Sequence, residues 1–119
     1  MKTKIFSILI SLFFLTTVCF AQDPVTAAPN VYHKVLLDND NVRVMEIEFD
    51  KGEVAATHSH PRHVVYVLEG GELTITGTDG KSEVMQAKPG DTFYMDATTH
   101  SAKNTGKTVV KAIVTELKK

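Results

Sequence analysis

From Val31 onward the chain alternates short apolar runs with clusters of turn residues. Tyr32 to Leu37 is followed by Asp38-Asn39-Asp40-Asn41, whose side chains favour reversals. Val42 to Phe49 then alternates apolar and polar positions and stops at Asp50-Lys51-Gly52. Val54 to His60 runs into Pro61, and Val64 to Leu68 is a continuous apolar run closed by Glu69-Gly70-Gly71. Leu73 to Thr76 and Glu83 to Gln86 flank Thr78-Asp79-Gly80-Lys81, an Asp-Gly hairpin signal. Lys88-Pro89-Gly90-Asp91 precedes Thr92 to Met95, after which come a short segment from His100 to Lys103 and a last run from Thr108 to Leu117. No stretch keeps a 3.6-residue apolar period. Many short strands at regular spacing predict an all-β sandwich or barrel. Gln22 to Asn30, with Pro24, Pro29 and two alanines, reads as an extended lead-in.

The first residues follow a different pattern. Lys2 and Lys4 precede an uncharged, mostly apolar run from Ile5 to Phe20, and Cys19-Phe20-Ala21 places small residues at −3 and −1 of a cleavage site. This is the pattern of a secretory signal peptide. The run falls short of the ~20 apolar residues that a membrane-spanning helix needs. Val18 is bulky where a lipoprotein signal wants a small residue, so lipidation at Cys19 is the weaker reading. The expected organisation is a signal peptide over 1–21, a lead-in and edge strand over 22–40, and one barrel domain over 41–119, exported to the periplasm or secreted. Cleavage after Ala21 leaves 98 of the 119 residues, with 11 basic against 14 acidic side chains and no cysteine. Such a domain offers nothing to nucleic acid and carries no stable membrane span. It has to be stabilised by its apolar core, with a metal or a dimer interface as supplements.

Four of the five histidines fall in two places, His58-Ser59-His60-Pro61-Arg62-His63 and His100. Imidazole is the commonest protein ligand for borderline transition metals. His58 and His60, two apart on a strand, point to the same face, and histidines from other strands can join them inside a barrel. Isolated histidines are more often plain surface or core residues; an H-x-H pair with two companions is not well described that way.

These motifs resemble the cupin family. Gly52, five residues, His58-Ser59-His60-Pro61, then His63 through Tyr66-Val67-Leu68-Glu69-Gly70 is similar to the first cupin motif. Pro89-Gly90-Asp91, the run from Thr92 to Met95, His100 and Asn104 are similar to the second. The resemblance spans about residues 41 to 117. It implies a double-stranded β-helix (jelly-roll) barrel holding one divalent transition metal (Fe, Zn, Ni, Mn or Cu) on His58, His60, His63 and His100. It also implies a small-molecule ligand or substrate. His63 stands where the family usually has a glutamate, and Asp96-Ala97-Thr98 replaces the usual Pro-x-Gly turn. An all-histidine ligand set leaves the metal charge uncompensated and favours an anionic co-ligand. It is similar to the sites of some iron dioxygenase cupins.

Strand parity fills in the surroundings. Val65 and Val67 share the face of His63 and should floor the pocket. Arg43 shares the face of Met45, Ile47 and Phe49 and is a candidate anion-binding group, although a snorkelling arginine at a strand end fits as well. Tyr66 and Tyr94 are candidate proton donors, and Asn104 is expected to bond locally to backbone. Ligation needs neutral imidazoles, so metal loss is expected below about pH 6. Two function classes remain: a metal-dependent enzyme of dioxygenase, isomerase or lyase type, and a non-catalytic ligand- or metal-binding barrel. A homodimer pairing through the Tyr32–Leu37 segment or the final strand is also expected.

Overall fold

The computed structural model describes residues 22–119, so the expectations about a signal peptide, its cleavage and Cys19 lie outside the described residues. A short helix α1 (Pro24–Ala27) leads into nine strands: β1 (Lys34–Asp38), β2 (Val42–Phe49), β3 (Val54–His60), β4 (His63–Glu69), β5 (Gly71–Gly77), β6 (Ser82–Ala87), β7 (Thr92–Met95), β8 (Thr98–Asn104) and β9 (Val110–Leu117). They form two antiparallel sheets with strand orders β1-β2-β9-β4-β7 and β3-β8-β5-β6. This is the all-β jelly roll that the run of short alternating strands predicts.

Alternation builds the core. In β2 Met45, Ile47 and Phe49 are buried, and in β9 so are Val110, Ala112, Val114 and Glu116. From the other sheet come Ala55, Leu73 and Ala102, the alanines being direct register partners on β3 and β8. The turns obey their residues. Asn39 Oδ1 accepts from the backbone N–H of Asn41 and Val42 at 2.8 and 3.0 Å, reversing the chain between β1 and β2. Gly80 takes a φ of +79° in the β5–β6 hairpin, a conformation that suits glycine. Buried Asn104 donates to the carbonyls of Phe49 and Thr108 and accepts from Gly106 N–H, pinning the end of β8 to two neighbouring segments.

The amino-terminal segment departs from its expectation. Pro24 opens a helical turn rather than an extended lead-in, since its fixed φ suits the first turn and it needs no amide donor there. Ala28 and Val31 are fully buried and extend the core. Tyr32 N–H bonds to Ala28 O, which holds this residue in the turn and starts β1 at Lys34, two residues later than its β-rich sequence suggests. β1 is an edge strand exposed throughout, with Val35, Leu36 and Leu37 about half accessible. β9, the other segment considered for pairing between copies, is central and has both edges taken by β2 and β4.

Candidate metal centre

Three histidines converge from one sheet. On β3, His58 and His60 share a face, as their spacing requires, and His100 on β8 is the direct register partner of His58. All three are at most 7 % exposed, and one ring nitrogen from each lies within 4.8 Å of the others. His63 comes from β4 in the facing sheet. It is buried beside His60, ring centroids 4.5 Å apart, but stands outside that tight group of three.

Hydrogen bonds fix which nitrogen His58, His60 and His63 present. His58 Nδ1 lies 2.6 Å from Ala56 O and His63 Nδ1 lies 2.8 Å from Pro61 O. Carbonyls only accept, so both Nδ1 atoms carry the hydrogen and both Nε2 atoms keep a lone pair. His60 Nδ1 is 3.0 Å from Glu116 Oε2, which sets the same tautomer. A ligand histidine oriented by a carboxylate on its far nitrogen is the usual supporting arrangement at metal sites. Glu116 in turn accepts from Arg43 Nε at 2.7 Å, and the Arg43 guanidinium also pairs with Asp23 beside α1. The chain Asp23–Arg43–Glu116–His60 therefore ties the amino-terminal segment to a ring in the site.

Against His58 and His60 lies the hydroxyl of Tyr32, 3.2 and 3.1 Å from their Nε2 atoms. The hydrogen count does not close. Both nitrogens are acceptors in the tautomers just assigned, and a phenol has one hydrogen to donate. One N···O contact then sets lone pair against lone pair unless a proton or a metal ion enters. The donor set fits a borderline divalent ion: three clustered imidazole nitrogens, those of His58 and His60 oriented by hydrogen bonds, with an oxygen beside them.

The electrostatics disfavour a charge on His58, His63 and His100. Burial pushes the pKa of His58 below the ordinary histidine value, despite its backbone hydrogen bond, and does the same for His63. For His100 burial acts first and the neighbouring histidines add to it, bringing the pKa down to about 3. Burial raises Glu116, but hydrogen bonds from His60 and Arg43 outweigh it and hold the carboxylate below its usual range. Burial, with the Glu116 charge behind it, raises the Tyr32 phenol.

A pH dependence follows. Between pH ~6.5 and the lower folded pKa values the unfolded chain binds protons that the folded chain refuses. Stability of the metal-free protein is therefore full above pH ~6.5 and falls as the pH drops, His100 alone contributing about 1.4 kcal/mol per pH unit. Urea unfolding at pH 7.5 and 5.0 measures this; equal stabilities would contradict it. Protons also compete less with a metal than they would at free imidazole, so metal loss is expected well below the pH ~6 that unperturbed histidine suggests.

The cavity at the site measures about 60 Å³ and is lined by Tyr32, His60, His63 and His100 with apolar side chains that include Phe49, Val65, Leu73, Ile75 and Met95. Val65 thus faces it, whereas Val67 is buried but is not in the lining. Arg43 does turn inward, as parity requires, but its cation faces Asp23 and Glu116 of the chain itself rather than a free anion site. Tyr66 and Tyr94 are 47 % and 58 % exposed on the outer surface, away from the histidines. Sequence reasoning missed two residues. Glu116 was within reach, as the fourth position of the inward set Val110, Ala112, Val114. Tyr32 had no local signal, because its place depends on the turn from Ala28.

A family model described as a cupin domain matches residues 45–116. No curated protein matches the chain. Among solved structures it is similar to a cupin domain from Bordetella pertussis Tohama I, with 26 % identity, coverage of 72 % of this chain and 91 % of that one, and a TM-score of 0.67. A protein with a double-stranded β-helix domain from Klebsiella pneumoniae shares the fold at 21 % identity, 70 % and 72 % coverage, and a TM-score of 0.58. An RmlC-like cupin from Methanocaldococcus jannaschii does so at 19 % identity, 71 % and 76 % coverage, and a TM-score of 0.57.

Proposed function

Since the chain belongs to the cupin-domain family, we propose that it is an exported metal-binding cupin that holds one divalent transition ion on His58, His60 and His100 and binds or transforms a small organic molecule beside it. The observation that carries this reading is the set of three buried imidazoles with the far nitrogens of His58 and His60 pinned. His63 adds a fourth imidazole on the facing wall. When bound, the ion would supply Lewis acidity or a binding position for dioxygen.

The protein's own part is to shape and dry the site. A cavity of about 60 Å³ accommodates an ion and a few further atoms, so the partner molecule is small or enters only in part. The apolar wall of Phe49, Leu73, Ile75 and Met95 excludes water from whatever sits there. Access is polar. An open groove lined by Asp79, Lys81, Glu83, Thr98 and His100 runs between the β5–β6 hairpin and the start of β8, and a wider depression there includes His60. Export rests on the signal-like residues 1–21; recovery of a chain beginning at Gln22 from the periplasm or medium checks it.

A closed site that only stores structure is the competing reading. Adding small anions such as azide or acetate to the copper(II)-loaded protein separates the two. A shifted visible spectrum is expected from an ion with an open position. A spectrum indifferent to millimolar anion would make the centre a closed, non-catalytic one.

A further inference from the structure

We propose that Tyr32 is itself a ligand of the ion, its phenol oxygen completing a three-nitrogen, one-oxygen donor set with His58, His60 and His100. The inference rests on the metal-binding reading above and goes beyond it, because Tyr32 lies outside the stretch that the family model matches, residues 45–116.

Two atoms bound to one ion at ~2.1 Å stand roughly 3.0 to 3.4 Å apart when their bonds make right or tetrahedral angles. Tyr32 Oη lies 3.2 Å from His58 Nε2 and 3.1 Å from His60 Nε2, so the oxygen is already at the separation of a neighbouring ligand from both. The hydrogen bonding around the phenol is also unbalanced. One phenol hydrogen faces two acceptor nitrogens, and an ion that accepts all three lone pairs removes the conflict. On binding, the O–H bond is exchanged for an O–metal bond and the proton leaves to solvent. Tyr32 is 4 % exposed and sits on a segment bonded to the barrel at several points. That segment is fastened by Tyr32 N–H to Ala28 O, Glu48 N–H to Val31 O, Ser59 N–H to Gln22 O, and the Asp23–Arg43 pair. The ring packs at centroid distances of 5.0 and 5.4 Å from the two imidazoles. A side chain held this firmly against two ligand nitrogens delivers its oxygen at little entropic cost.

The test is the visible spectrum of the purified protein loaded with one equivalent of iron(III) or copper(II) alone, for wild type and Tyr32→Phe. Phenolate bound to either ion gives a strong charge-transfer band. The band is expected in wild type and absent from the variant, with the dissociation constant raised at least ~10-fold. Phenylalanine keeps the ring packing, so the metal-free variant should melt close to wild type. Should the variant fail to fold, resonance Raman on the wild type decides: tyrosine ring modes enhanced within the band support ligation, and their absence overturns it. Metal bound in one equivalent without the band, or with the same band in Tyr32→Phe, sinks this inference alone. No metal bound at all sinks the proposed function with it.

Discussion

Glu116→Ala is expected to destabilise the protein by about 3–5 kcal/mol and to weaken metal binding by about 10- to 100-fold. The carboxylate is 2 % exposed and satisfies two groups at once, His60 Nδ1 and the Arg43 guanidinium. Removing it leaves an arginine charge in a largely buried setting, with only Asp23 to pair with it. That loss, rather than the missing attraction, accounts for most of the cost. It also frees the His60 ring to rotate and to change tautomer, so Nε2 is no longer presented to the ion. Glu116→Gln should fall between wild type and alanine. Its carbonyl can still accept from His60, while its amide opposes Arg43. Urea unfolding and metal titration on the three proteins check the order; an alanine variant as stable as wild type would mean that the chain from Asp23 to His60 contributes little.

Saturating metal is expected to raise the melting temperature by about 15–30 °C, and His58→Ala, His60→Ala and His100→Ala are each expected to lose that rise. An ion present at a thousandfold its dissociation constant stabilises the folded state by about 4 kcal/mol, and a domain of this size shifts about 4–8 °C per kcal/mol. The three rings are the only cluster among the described residues in which donor nitrogens stand within 4.8 Å of one another. Truncating any one leaves two nitrogens of the trio, too few, even with the Tyr32 oxygen beside them, to hold most divalent ions against water. His63→Ala should behave differently and keep most of the rise, because His63 stands on the opposite sheet and outside the close trio. Thermal melts with and without added Zn²⁺, Ni²⁺, Fe²⁺ and Mn²⁺ report all four variants. A His63 variant as deficient as the others would restore the four-histidine centre that the sequence suggests.

Most of the fold was legible because the physics that forms it is local. Alternation marks β2 and β9, turn residues mark nearly every boundary, and the strands from Val54 to His60 and from Thr92 to Met95 begin and end where the pattern says. The histidine trio was legible for a related reason. An i, i+2 pair on a strand shares a face whatever the rest of the chain does, and the resemblance located His100. The parts that were not legible depend on tertiary register. Arg43 faces inward as its parity requires, yet what it meets is set by Glu116, 73 residues away, and by Asp23 in a segment outside the barrel strands. Glu116 could be placed on the inner face by counting forward in twos from Val110, but its partner His60 lies on the other sheet. His63 could be placed near the H-x-H pair, but Pro61 carries the chain across to the facing sheet, which alters its distance from His58 and His100. Tyr32 looks like the start of a strand. Only the turn from Ala28, which uses its backbone N–H, aims it at the histidines.

The most direct measurement is the metal content of untagged protein, wild type beside His100→Ala, by elemental analysis. About one equivalent of a transition metal in the wild type and almost none in the variant is the predicted result. A metal-free wild type that also refuses added ions, or equal metal in both proteins, would contradict a centre built on His58, His60 and His100.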